Sequence, residues 1–129
     1  MRTALLSGLS AILALAGMTV PGQAGAFSAS FSWSGIQACK RISPEFHLAG
    51  VPAGTKRLRF EMHDLNVPAF HHGGSTIAYA GAAVKQGAIS YIGPCPPGDE
   101  RHRYRWTVKA FDAAGKTLGT ANATAAFPP

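Results

Sequence analysis

The sequence predicts a compact all-β domain of two packed sheets. Three observations predict it. Apolar residues alternate with polar ones in several short runs, Gly- and Pro-rich turns separate the runs, and almost nothing carries a helical apolar period.

The N-terminal residues are expected to lie outside this fold. Arg2 supplies a short positive start, residues 4–20 are apolar without a charge, and Ala24-Gly25-Ala26 offers small residues for cleavage. Residues 1–26 read as a secretory signal peptide cut after Ala26. A membrane anchor fits less well, because the run is short and is followed by Pro21 and small residues instead of a basic flank. No later segment is long and apolar enough to span a bilayer. The domain proper is then residues 27–129, periplasmic or secreted.

The strands follow in order. Phe27, Ala29, Phe31 and Trp33 alternate with serines. Val51 to Thr55 is a turn, after which Leu58, Phe60 and Met62 alternate with Arg57, Arg59, Glu61 and His63. Thr76 to Tyr79 and Ala88 to Ile92 are shorter candidates. Tyr104, Trp106, Val108 and Ala110 alternate with Arg103, Arg105, Thr107 and Lys109. Asp112 to Lys116 reads as a hairpin turn and Thr117 to Phe127 as a weak last strand. The Ala-rich stretches 80–84 and 121–126 permit a helical turn, which neighbouring Gly and Thr residues disfavour.

The chain carries 12 Lys and Arg against 6 Asp and Glu. That balance suits anionic ligands or an anionic envelope surface, or simply a solvated basic exterior. Export and the lack of a nucleic-acid motif argue against nucleic acid as partner. In an oxidising compartment Cys39 and Cys95 read most simply as one disulfide, with a catalytic thiol as the alternative.

Alternation also turns polar residues inward. Continuing the Leu58, Phe60, Met62 series reaches Asp64, and continuing the Val108, Trp106, Tyr104 series backward reaches His102. A buried carboxylate and imidazole are costly unless paired or solvated, so with the Tyr104 hydroxyl they indicate a lined cavity. Local satisfaction is the alternative: Asp64 capping the following turn, His102 bonding a carbonyl. His71-His72-Gly73-Gly74 adds imidazoles beside accessible backbone. His63, His71, His72, His102 and Asp64 are zinc-type ligands, but no H-x-x-x-H or C-x-x-C spacing occurs, so no metal and no cofactor is expected. Ser75 and Ser90 sit in no G-x-S-x-G elbow, and Asn122-Ala123-Thr124 matches a glycosylation acceptor only as a short pattern.

Five segments, in order, resemble the phosphatidylethanolamine-binding proteins and their bacterial Raf kinase inhibitor-like branch. These are Cys39 to Pro44, Gly50 to Leu58, Asp64-Leu65-Asn66-Val67-Pro68, His72, and Gly93 to Tyr104. The last is similar to the family's G-P-x-P-P-x-G-x-x-H-R-Y signature and is the most specific. The resemblance implies a β-sandwich-like fold with a small pocket for phosphate-type groups or a phospholipid headgroup. It implies that Asp64, His72, His102 and Tyr104 line this pocket, with Gly93 and Pro94 shaping its rim. Leu65, Asn66 and Gly73 depart from the family pattern, the segment from His72 to Tyr91 is short, and no room is left for the C-terminal helix. A reduced, more open site is therefore expected.

The expected activity is non-catalytic binding of a small anionic ligand or headgroup. His72 and His102 would donate hydrogen bonds, more strongly once protonated. Glycine amides around Gly73, Gly74 and Gly93 would add donors, and Asp64 would orient a histidine. The alternative from another class is a protein partner, with the domain acting as an interaction or inhibitor module toward a protease, envelope or host protein. Phosphoester hydrolysis is the third reading, supported by acid–base groups but by no evident nucleophile.

Overall fold

The structure is a computed structural model, and it describes residues 25–129. The expected signal peptide lies outside the described residues apart from Gly25 and Ala26. The described residues contain no helix; seven strands form two antiparallel sheets. The strands are β1 (Ser28–Phe31), β2 (Phe46–Ala49), β3 (Arg57–Asp64), β4 (His71–Ala78), β5 (Ala83–Val84), β6 (His102–Phe111) and β7 (Thr117–Phe127). The orders are β1-β2-β5 and β4-β3-β6-β7. The all-β two-sheet expectation is thus met.

Alternation sets the inner face. β3 buries Leu58, Phe60, Met62 and Asp64, and β6 buries His102, Tyr104, Trp106, Val108 and Ala110. Pairing sets Leu58 opposite Ala110, Phe60 opposite Val108, Met62 opposite Trp106 and Asp64 opposite Tyr104. The second sheet adds Phe46 and Leu48 from β2. Phe46 packs its ring 4.8 Å from Phe60 and, edge-on, 5.1 Å from Trp106. Each such large apolar side chain contributes about 1.5–3 kcal/mol by leaving water. The β6–β7 hairpin closes on Asp112, whose Oδ1 accepts hydrogen bonds from the amides of Ala114 (2.9 Å) and Lys116 (2.8 Å).

Three sequence expectations change. Residues 88–92 are not a strand. Ile89 and Tyr91 are buried, but the backbone partners are scattered: Ser43 Oγ for Ile89 N, Ser75 Oγ for Ser90 N and the His72 carbonyl for Ile92 N. Apolar alternation there reflects packing without a ladder. β4 begins at His71, well before Thr76. β2 and β5 were not anticipated, and the helical turns allowed at 80–84 and 121–126 are instead β5 and part of β7.

Cys39 and Cys95 form a disulfide. The Cys39 amide also donates to the Pro94 carbonyl at 2.8 Å, and Tyr91 Oη donates to the Ile42 carbonyl at 3.1 Å. The Pro/Gly loop therefore lies tight against residues 39–42. Gly93 makes this approach feasible, because a Cβ there would collide with the Lys40 carbonyl oxygen.

Candidate functional site

Asp64 closes β3 and His102 opens β6, so both inward side chains emerge where the central strands end. Asp64 Oδ2 accepts a hydrogen bond from His102 Nδ1 at 2.7 Å. Its Oδ1 accepts from the amides of Asn66 (2.8 Å) and Val67 (3.0 Å) in the turn that follows. Asn66 Oδ1 in turn accepts from the Arg103 amide at 2.8 Å, tying this turn to the start of β6. Asp64 therefore both caps its turn and pairs with the imidazole, whereas His102 bonds carboxylates and not the backbone carbonyl that local satisfaction would have given it.

His72 arrives by a different route. β3 pairs with β4 so that Glu61 faces Gly74 while His63 faces His71. Two residues of β4, His72 and Gly73, thus oppose Met62 alone, which is a β-bulge. Gly73 supports it with φ +73°, a left-handed conformation that glycine adopts freely. Strict alternation from Ser75 and Gly73 would have sent His72 outward; the bulge turns it into the core, 4% exposed. His72 Nδ1–H donates to the Ile92 carbonyl at 2.7 Å, and the Ile92 amide returns a bond to the His72 carbonyl at 2.8 Å. The neutral ring therefore offers Nε2 as an acceptor and donates there only as imidazolium.

These residues line a cavity of about 210 Å³ together with Val67, Phe70, Ile92, Gly93, Cys95, Pro97 and Tyr104. Asp64, His72 and His102 are three of the five buried polar residues among those described. Phe70 covers the His72 ring at 4.6 Å, and Tyr104 meets it edge-on at 5.5 Å. A wider groove of about 390 Å³ near Ser30, Ser32, Ser34 and His47 lies elsewhere. Its ion pair, His47 with Glu45, is more than half exposed, so no buried charge singles that groove out.

One group was missed. Glu100 Oε2 lies 2.7 Å from His102 Nε2. Both nitrogens of His102 thus face carboxylate oxygens. Carboxylates only accept, so both nitrogens carry protons and the ring is an imidazolium. The bond to Asp64 and then that to Glu100 raise the pKa of His102 above its ordinary value, against the opposing effect of burial. For Asp64, burial works against ionisation, but the bonds from His102, Asn66 and Val67 outweigh it and hold the carboxyl below its ordinary value. Burial, reinforced by the Asp64 charge, pushes the Tyr104 phenol up to about 12. Glu100 lies just before β6 begins and its side chain is 62% exposed, so strand alternation gave no signal for it.

Of the residues expected at the site, Asp64, His72, His102, Tyr104 and Gly93 come together. Pro94 does not line the cavity: it is fully buried, with its carbonyl turned to Cys39. Gly93 and Cys95 on either side of it face the pocket, while Pro94 packs behind. Gly73 and Gly74 belong to β4 and are not part of the cavity wall. Val67, Phe70, Ile92 and Pro97 supply most of the apolar wall instead. Among the described residues no group of His, Cys, Asp and Glu has the arrangement of a metal site.

Fold and site define a small antiparallel sandwich with a polar-ended pocket at the strand termini. The chain belongs to the phosphatidylethanolamine-binding protein family, whose model matches residues 15–127. Its structure is similar to YbcL of E. coli, described as a new member of the mammalian family, with TM-score 0.57 and 18% identity over 80% of this chain and 98% of that one. It is also similar to CT736 of Chlamydia trachomatis, described as a homologue of phosphatidylethanolamine-binding protein, with TM-score 0.59 and 21% identity over 83% of this chain and 94% of that one. At these identities the likeness is one of fold. No curated protein matches the sequence.

Proposed function

We propose that this chain is an exported, non-catalytic binding protein whose pocket takes a phosphate-type anion or a phospholipid headgroup. The observation that carries the reading is the contact at His102 Nε2, where a buried imidazolium holds a carboxylate at 2.7 Å. The pocket has the chemistry to bind an oxyanion, because a desolvated cationic donor favours an anionic acceptor strongly. The mouth suits a headgroup that continues into apolar chains. Val67, Phe70 and Ile92, three of the five exposed large hydrophobic residues among those described, line it. The non-catalytic part rests on the lining chemistry. The only hydroxyl there is the Tyr104 phenol, whose pKa near 12 leaves it a poor nucleophile, and Cys95 is held in the disulfide. Export is supported by the N-terminal pattern and by a disulfide of the kind oxidising compartments preserve.

Calorimetric titration of inorganic phosphate and phosphorylethanolamine into the wild type and His102→Ala is the test. Binding by the wild type that disappears in the variant is expected. Equal binding by the two proteins would remove the reading.

A further inference from the structure

In the fold, Glu100 occupies the position an incoming anion would need. Asp64 holds Nδ1 of His102 and the Glu100 carboxylate holds Nε2, so the imidazolium has no N–H left over. His72 has committed Nδ1–H to the Ile92 carbonyl. The N–H donors of both imidazoles are thus already engaged, and Glu100 is the one partner that can leave. Its side chain is 62% exposed, against 6% for Asp64 and 7% for His102. No other bond to the Glu100 carboxylate exists among the described residues, so swinging it into water disrupts nothing else.

Resting on the binding reading above, the geometry points to Glu100 as the residue that sets which anions this pocket accepts. It is a tethered carboxylate that competes with the ligand for His102 Nε2. A single residue, Arg101, lies between competitor and donor, so Glu100 acts at an effective concentration in the millimolar range or above. A free monocarboxylate offers the same chemistry without the tether and loses to it. A phosphate group brings more charge and three acceptor oxygens, and can displace it. The class of ligand is therefore a phosphate monoester or inorganic phosphate, with simple carboxylates turned away. Asp64 stays in place throughout, because it is buried and anchored by two amides.

The test titrates inorganic phosphate and acetate into the wild type, Glu100→Gln, Glu100→Ala and His102→Ala. His102→Asn replaces the last variant should it fail to fold, since an amide can still donate to Asp64. Thermal melts establish that the two Glu100 variants fold. The expected result is phosphate binding about ten- to hundredfold tighter in Glu100→Ala, the range of one charge-assisted hydrogen bond released. Glu100→Gln should fall between, and acetate should bind Glu100→Ala but not the wild type. Phosphate binding that is no tighter in either Glu100 variant, yet is lost on changing His102, overturns the role of Glu100 and leaves the pocket standing. Phosphate binding that ignores His102, or is absent from all four proteins, overturns the pocket and this inference with it.

Discussion

The four-stranded sheet is built from strands of eight, eight, ten and eleven residues, the three-stranded sheet from strands of four, four and two. In the first, β3 and β6 pair without interruption from Arg57 and Phe111 to Asp64 and Tyr104. In the second, β2 and β5 share only two paired positions, Phe46 with Val84 and His47 with Ala83. The long sheet carries its own backbone bonds and delivers the polar groups of the pocket from its strand ends. The short side depends on individual tethers: Ser43 to Ile89, Tyr91 to Ile42, Trp33 Nε1 to the Ala125 carbonyl, and Cys39 to Cys95. The pocket has one wall of each kind. Its charged groups stand on a continuous ladder, and its facing loop is held by point contacts.

The largest expected effect breaks the tethered side. Replacing Cys39 and Cys95 together by alanine opens a loop with sequence separation 56, worth about 4 kcal/mol in the chain-entropy model. Urea denaturation should show this loss; a loss under about 1 kcal/mol would mean that the short side holds itself.

The ladder side should answer to a buried charge. Asp64→Ala leaves the amides of Asn66 and Val67 and one N–H of His102 without their acceptor, and should cost about 3 kcal/mol. The pH dependence has a definite sign. His102, raised in the fold, contributes stability that is full below its ordinary pKa of about 6.5 and is lost as pH rises through the higher folded value. Asp64, lowered in the fold, contributes above its ordinary value of 3.8 and loses that contribution as pH falls through the lower folded value. The groups facing His102 are Asp64, Glu100 and Tyr104. The difference in melting temperature between the wild type and His102→Asn should therefore be widest between roughly pH 4 and 6.5 and shrink in alkali. A gap that widens toward high pH would show that the pair is not ionic.

The smallest effect sharpens the boundary between the two kinds of wall. Gly73→Ala places a Cβ in open space but keeps φ at +73°, which costs about 1 kcal/mol. A variant as stable as the wild type would show that the bulge, and with it the inward turn of His72, does not need glycine.

Legibility in the sequence followed strand length. β3 and β6 could be read because four or five inward residues repeat at one period, and extending that period reaches Asp64 and His102 without appeal to any family. β7 was legible with its turn because Asp112 precedes a short Ala-Ala-Gly segment. β2 and β5 are too short for alternation to stand out, and residues 88–92 alternate for reasons of packing alone. His72 came from the His-His-Gly-Gly run and from the resemblance, not from periodicity, since the bulge at Gly73 reverses its face.

Alternation by itself determined the fold class, the two central strands and the inward pair Asp64 and His102, because side-chain direction along a strand is a local property of the backbone. Only the tertiary structure decided that β4 slips by one residue, that Pro94 packs behind the pocket, and that Glu100 reaches the far nitrogen of His102. Those outcomes depend on pairing between distant segments and on where a loop comes to rest, which no local period encodes.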